Sequence, residues 1–340
     1  MDDFQNETPT PSESLGAQAK KTFSGVGWAF TVMLAASNGL QILLYTLGNR
    51  RFPELFSSEW TTWLLSIVPL YCVALPLGWL ILRRLPAVRP AENSLPISRL
   101  AELLVMAFAI MYIGNLIGVA LNVGIASAKG TAYENPVYEL LRDSNIWANL
   151  VCVAILAPVL EELVFRKLLC DRVRVYGERT AILVSGLVFG LFHGNLSQFF
   201  YAFAVGMFFA YVYLRTGRIR YTMLLHACMN LLGGVLPEVI LKHIDLDAIS
   251  KLSTDSVQEQ ISYAQGHLGE LVGFGLYALT VFALFILGIV FLAEHRKTVA
   301  LQPTEKQLPP AERGVSVKNA GMLVYLIITA GLMVFTAITA

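Results

Sequence analysis

Six polar side chains lie inside long apolar stretches of the sequence, where a charge or an amide is unfavourable. A charged side chain within the hydrocarbon of a membrane costs roughly 2.5–3.5 kcal/mol on insertion scales, so its presence indicates a partner or a function. The six residues are Glu161, Glu162, Arg166, His193, His226 and Asn230. Carboxylates and imidazoles can activate water, and imidazoles and amides can stabilise negative charge that develops on an oxygen.

The spacing of these residues places them on shared helix faces. Residues four apart lie on one face of an α-helix, about 6 Å apart along its axis. Three pairs have this spacing: Glu162 with Arg166, Phe189 with His193, and His226 with Asn230. Glu161 points about 100° away from Glu162, so one carboxylate can pair with Arg166 while the other faces a cavity. A carboxylate withdrawn from water is a stronger base than one in water, which suits general base chemistry on a bound water.

The elements that must position these groups are membrane helices. The chain has 340 residues, of which 56% are hydrophobic and 14% are charged, whereas soluble domains are about 45–50% apolar and about 25% charged. The formal net charge of +1 gives no electrostatic reason to expect a nucleic-acid partner. A spanning helix needs about 20 apolar residues. Nine segments qualify: 26–48, 61–82, 101–125, 146–168, 180–198, 199–216, 221–241, 270–293 and 320–340.

These segments predict an all-α polytopic transmembrane helical bundle of about eight to nine spans, with a tight turn or broken helix around Gly194–Gln198. With the amino terminus inside, eighteen Lys and Arg residues fall in inner segments and six in outer ones, which predicts a cytoplasmic amino terminus and an outer carboxyl terminus. We expect a multi-pass protein of a cell membrane, and the short loops favour a bacterial plasma membrane. The expected regions are a disordered cytoplasmic tail (1–25), a transmembrane bundle (26–293), a cytoplasmic linker (294–319) and a last transmembrane helix (320–340).

The predicted helix ends create a conflict in depth. If the fourth helix ends near residue 168, Glu161 and His226 lie about 10 Å from the inner face, at about 1.5 Å per residue. His193 then lies nearer the outer half. We therefore expect the fifth helix to start deeper in the protein, or to tilt and kink near Gly190 and Gly194.

Three motifs in order carry a resemblance to a known family. Glu-Glu-x-x-x-Arg, Phe-x-x-x-His and His-x-x-x-Asn stand on separate apolar segments between about residues 146 and 240. This arrangement resembles the CAAX-protease and bacteriocin-processing (CPBP, Abi) family of intramembrane glutamate endopeptidases. The flanking segments carry no motif that matches.

The resemblance implies a role for each residue. Glu161 would be the general base that activates water, and His193 would assist it. His226 and Asn230 would stabilise the oxyanion, while Glu162 and Arg166 would orient the site with Phe189 in support. The implied activity is hydrolysis of a peptide bond in a membrane-associated peptide or protein, and the implied reaction needs no cofactor. The implied partners are membrane lipid and a peptide or protein substrate, such as a prenylated tail or a leader peptide.

Taken singly, each motif also fits a structural role. Glu162 and Arg166 can be an intrahelical ion pair, either histidine can bond a backbone carbonyl, Asn230 can join two helices, and Phe189 can be packing. What favours chemistry is that these groups cluster in three consecutive motif-bearing segments.

Other mechanisms and functions remain alternatives. Glu161, His193 and His226 form a His₂Glu set that could bind catalytic zinc. A catalytically silent immunity or scaffold protein is a second alternative. A proton-coupled transporter is a third, although it predicts repeats and widely spread polar groups that the sequence does not display. The sequence also lacks H-E-x-x-H, typical of zinc metalloproteases, and the G-x-S-G of rhomboid-like serine proteases.

Overall fold

The structure, a computed structural model, describes residues 13–56, 59–133, 135, 141, 145–242 and 256–339. Every regular element within these residues is helical. We number the main helices α1 Leu15–Arg51, α2 Trp63–Leu82, α3 Ile97–Lys129, α4 Ile146–Tyr176, α5 Glu178–Phe192, α6 Leu196–Thr216, α7 Ile219–Ile240, α8 Val257–Gly266, α9 Leu268–His295 and α10 Ala320–Thr339. The predicted all-α polytopic bundle is confirmed.

Eight of these helices are long and apolar enough to cross a membrane, namely all except α5 and α8. The predicted fifth segment, 180–198, differs from the structure because α5 has only 15 residues, or about 22 Å, against a hydrocarbon core of about 30 Å. The chain turns at Gly194, whose φ of 64° suits glycine, and Asn195 caps α6 by accepting a hydrogen bond from the Gln198 N–H. The predicted turn at Gly194–Gln198 is confirmed.

The short helix α5 packs closely against α6 through glycines. A Cβ added at Gly186 would lie 2.7 Å from the Phe203 carbonyl oxygen, and one at Gly190 would lie 3.0 Å from the Phe199 carbonyl oxygen. Small residues allow helix backbones to approach in this way inside a membrane protein. The close packing fixes the register of α5, and with it the positions of the residues at its far end.

Helix α4 continues beyond its predicted end, which removes the conflict in depth. It runs to Tyr176 and turns into α5 at Gly177, which has a φ of 125°. Glu161 and His193 are each sixteen residues from Gly177, on the two arms of one helical hairpin. The side chains of Asp171, Arg172 and Glu178 around this turn are buried, which agrees with the expectation that the fifth helix starts deeper in the protein. Glu161 and His193 can therefore reach comparable depth without a kink near Gly190.

Helix α4 is irregular around the two glutamates. The stretches Leu150–Leu156 and Leu163–Leu168 are π-helical, and the α-helical turn Ala157–Glu162 lies between them. Such wider turns inside α-helices are often found at functional sites. They change the direction in which the flanking side chains point relative to a uniform α-helix.

Part of the predicted tail is helical, and the predicted linker packs against the bundle. Residues 15–25 belong to α1, with Ser14 as its N-cap and with Ala19 and Phe23 buried, whereas residues 1–12 of the predicted tail lie outside the described residues. The 294–319 linker packs against the α4–α5 hairpin. The Gln302 N–H donates to the Glu178 carboxylate at 2.7 Å, and the Leu308 N–H donates to the Tyr176 carbonyl at 3.0 Å.

The last helix is an integral part of the bundle. Near its start, the Gly321 N–H donates to Ser24 Oγ of α1 at 3.2 Å, and near its end Thr336 Oγ1 donates to the Gly194 carbonyl at 3.3 Å. Asn38, further along α1, lines the same cavity as Thr336, so α1 and α10 run in the same direction. Helix α10 ends near the turn that joins α5 to α6.

Candidate active site

A buried ion pair lies at the base of the site. The Glu162 and Arg166 side chains are completely buried on one face of α4, with Oε2 3.0 Å from the arginine Nε. Arg166 Nη1 donates to Ser185 Oγ of α5 at 2.9 Å, and its guanidinium carbon lies 4.9 Å from the centre of the Phe189 ring. Because a buried charge is tolerated only when it is paired and hydrogen-bonded, these contacts hold both side chains in place.

His226 of α7 connects this pair to the second glutamate. Its Nδ1 lies 3.1 Å from Glu162 Oε1, and its Nε2 lies 3.9 Å from Glu161 Oε2. A carboxylate can only accept, so Nδ1 carries the proton of the first contact. Its ring lies between those of Phe189 and Phe209, with centroid distances of 5.9 and 5.7 Å. The imidazole is therefore fixed between two carboxylates.

The two adjacent glutamates have different surroundings, as their angular offset predicts. The Glu162 side chain is fully buried, whereas that of Glu161 is 21% exposed and lines a cavity. Glu162 is held by Arg166 and His226. Glu161 thus has the freedom to contact a molecule in the cavity, and Glu162 does not.

His193 follows the last residue of α5 and lines the same cavity. Its Nδ1 lies 2.9 Å from the Phe189 carbonyl oxygen, four residues earlier. Because a carbonyl can only accept, this bond requires a proton on Nδ1, and the Nε2 of the neutral ring is then free of its proton and able to accept one. The phenylalanine of the Phe-x-x-x-His motif thus orients the histidine through its backbone as well as its ring.

Asn230 also lines the cavity, and it joins α7 to α4. Its Nδ2 donates to the Val153 carbonyl at 2.9 Å. Because a carbonyl can only accept, the amide atom that faces Val153 is the nitrogen. The NH₂ group has a second N–H that this bond does not use.

These groups share one space, which we call the site cavity. It has a volume of about 450 Å³ and is lined by Glu161, His193, His226 and Asn230 together with Phe189. Glu161 approaches His226 directly, whereas the hydrogen bonds described for His193 and Asn230 go to backbone carbonyls. The arrangement brings a carboxylate, two imidazoles and an amide around a space that a peptide bond and a water can occupy.

Sequence reasoning missed several polar residues of the site cavity. They include Tyr71, Asn115, Gln198, Tyr201 and Glu238. Glu238 is 2% exposed, accepts from Asn149 Nδ2 at 2.8 Å and pairs with Lys242 Nζ at 2.6 Å. Its lysine four residues later is the signal that could have identified it, since this spacing in a helix indicates a pair.

The alternative zinc set is not assembled as a metal centre. Among the described residues, no three His, Cys, Asp or Glu side chains are grouped closely enough to hold one metal ion. Glu161 and His226 approach each other, and His193 shares their cavity. Zinc binding by these three residues stays a prediction that a chelator experiment tests.

Comparison with known proteins agrees with the motifs. Residues 143–232 match the family described as "Type II CAAX prenyl endopeptidase Rce1-like". The chain is 34% identical to the Bacillus subtilis (strain 168) protein named "Putative membrane peptidase YdiL" over 85 residues. These residues are 24% of this chain. The match spans about a third of that relative's length (34%). No solved structure matches the chain. The resemblance to CAAX proteases is confirmed for the segment that carries the three motifs.

Proposed function

We propose that the protein is an intramembrane endopeptidase that hydrolyses a peptide bond with a water activated by Glu161 and His193. The observation that carries the proposal is the site cavity, where the partly exposed Glu161 carboxylate stands beside His226 while the Glu162 side chain is fully buried. The Rce1-like match to residues 143–232 supports the same reaction class.

The reaction begins with a water bound between Glu161 and His193. The Glu161 carboxylate accepts a proton as the water oxygen bonds to the peptide carbonyl carbon, and the carbonyl π-electrons move to the oxygen. When the tetrahedral intermediate breaks its C–N bond, Glu161 returns that proton to the departing amine. The basic Nε2 of His193 helps to position the water, because its Nδ1 donates to the Phe189 carbonyl.

His226 and Asn230 stabilise the oxyanion of the intermediate. Nδ1 of His226 donates to Glu162, so Nε2 donates to an oxyanion when the ring carries a proton on both nitrogens. The second N–H of the Asn230 amide is the other donor. Donors of this kind typically contribute about 10²–10³ in kcat each.

The proposed substrate is a membrane-associated peptide or protein segment, such as a prenylated tail or a leader peptide. The site cavity lies among helices that are long and apolar enough to span a membrane, which suits a substrate that is itself anchored in lipid. A plasma membrane location with the amino terminus in the cytoplasm completes the proposal.

The test is cleavage by the purified protein in detergent and in liposomes, with a fluorogenic library of prenylated and leader peptides. Glu161→Ala should reduce kcat by about 10²–10⁴, the usual contribution of a general base. Glu305→Ala, the same change at an exposed glutamate of the linker, serves as the matched control. An unchanged rate in Glu161→Ala would refute the assignment of the base.

The alternatives give different outcomes in the same assay. Cleavage that persists in chelator supports glutamate chemistry, whereas loss in chelator with recovery in zinc supports a metal site at Glu161, His193 and His226. Failure of the intact protein on every peptide favours the silent immunity or scaffold alternative.

A further inference from the structure

A second cavity, with a volume of about 440 Å³, adjoins the site cavity. His193 and Ser197 line both. His193 therefore stands between two spaces, and only one of them contains Glu161.

The second cavity has a mixed lining of polar and apolar side chains, and none of them is charged apart from the histidine it shares. Its amide and hydroxyl side chains are those of Asn38, Asn122, Tyr133, Asn195, Ser197, Thr336 and Thr339. The Tyr133 hydroxyl lies 2.9 Å from Ser197 Oγ, and Asn122 Nδ2 donates to the same oxygen at 3.3 Å. Water in a protein interior needs polar partners and about 30 Å³ per molecule, and this space supplies both for several waters.

The second cavity lies at the end of the bundle opposite the linker. Ala337 and Thr339, near the end of α10, line it, whereas the start of α10 contacts Ser24 near the beginning of α1. Between Ala337 and Thr339, the Ile338 carbonyl accepts a hydrogen bond from Lys129 Nζ at 2.8 Å. A lysine at the ends of two spanning helices keeps its ammonium group at the aqueous interface. This end of the cavity is therefore close to water.

We propose that the second cavity is a water-binding site that delivers the hydrolytic water to His193 from the end of the bundle opposite the linker. The inference rests on the proposed function, because each hydrolysed bond consumes one water. A peptide in the site cavity displaces solvent there, so the replacement must arrive by another route. The side of His193 away from Glu161 provides that route.

The first test fills the second cavity without touching the proposed catalytic groups. Ala337→Trp should lower kcat by at least about tenfold, a rise of about 1.4 kcal/mol in the barrier, and leave KM unchanged, because substrate binds in the other cavity. Ala330→Trp, at an exposed position seven residues earlier on α10, is the matched control and should retain the original kcat. Asn122→Leu, which removes an amide from the wall, should lower kcat in the same way if Ala337→Trp does not fold.

The second test needs no peptidase activity. Thr336→Cys should react with a membrane-impermeant methanethiosulfonate added to proteoliposomes on the side opposite the linker, because the thiolate that reacts forms only in contact with water. Ala330→Cys should not react, and the unmodified chain corrects for its four native cysteines.

Selective loss of kcat in the filled variant, with labelling of Thr336→Cys, supports the water route. An unlabelled Thr336→Cys, or a folded Ala337→Trp with the original kcat, overturns it. If the intact protein cleaves no peptide, the proposed function fails, and the labelling result still decides whether the second cavity holds water from that side.

Discussion

Removing Arg166 alone should destabilise the protein severely, whereas removing both charges of its pair should not. Arg166→Met leaves the Glu162 carboxylate fully buried without the guanidinium that now lies 3.0 Å away, and it also removes the donor to Ser185 Oγ. Breaking a buried pair by losing one partner typically costs about 3–5 kcal/mol. That is a large share of a total folding stability of about 5–15 kcal/mol.

The double variant Glu162→Gln/Arg166→Met should recover most of this loss. The amide oxygen introduced by Glu162→Gln can still accept the His226 Nδ1 proton, and the methionine side chain can still pack against the Phe189 ring. Replacing a buried ion pair by neutral groups of similar volume is often neutral or stabilising. The double variant should nevertheless have a lower kcat, because a neutral amide accepts the Nδ1 proton of His226 more weakly than a carboxylate does and so orients the ring less firmly.

The assay is reversible unfolding in mixed micelles of detergent and SDS, followed by tryptophan fluorescence and combined in a double-mutant cycle. Arg296→Met, at an exposed arginine after α9, is the control for losing a positive charge without burial. If Arg166→Met is as stable as this control, or if the double variant is no more stable than Arg166→Met, the pair does not hold the base of the site as we argue.

Three further changes test separate parts of the structure. Asn230→Ala should lower kcat by about 10²–10³ with little change in KM, measured in single turnovers, and an equal loss of substrate affinity would contradict an oxyanion role. Gly190→Ala places a Cβ 3.0 Å from a backbone oxygen of α6 and should cost about 1–3 kcal/mol of unfolding free energy, whereas Gly331→Ala, with open space around it, should cost far less. Leu308→Ala truncates a linker side chain that is 1% exposed and should lower the free energy of unfolding by about 2–5 kcal/mol. Leu301→Ala, at a linker leucine that is 45% exposed, is the control. Equal effects of the two changes would mean that the linker does not pack as described.

The sequence predicted those parts of the site that depend on helical periodicity. Glu162 and Arg166 pair because residues four apart share a face, and the offset of Glu161 leaves it in the cavity. Polar groups within apolar segments were visible because the membrane makes each of them costly. The roles assigned to these residues come from the family resemblance and stay predictions.

Tertiary packing decided what the sequence could not show. Hydropathy placed the end of α4 near residue 168, because charged side chains follow there. In the structure Arg172 is buried, and its Nη1 donates to the Leu168 carbonyl at 2.8 Å. The helix therefore continues to Tyr176. Glu238 was overlooked because it lies close to the end of its apolar segment, where a charge is ordinary, and only the fold shows that it is buried.

The contact between the linker and the α4–α5 hairpin has a consequence for biosynthesis. Glu178 receives its bond from Gln302 at a separation of 124 residues, and Tyr176 receives its bond from Leu308 still later in the chain. A ribosome therefore releases α4 and α5 into the membrane long before the segment that fastens the base of their hairpin has been translated. The helices that carry Glu161 and His193 form these stabilising contacts only as synthesis nears completion. A nascent chain truncated before residue 302 should therefore contain every motif residue but should not yet hold them in their final arrangement.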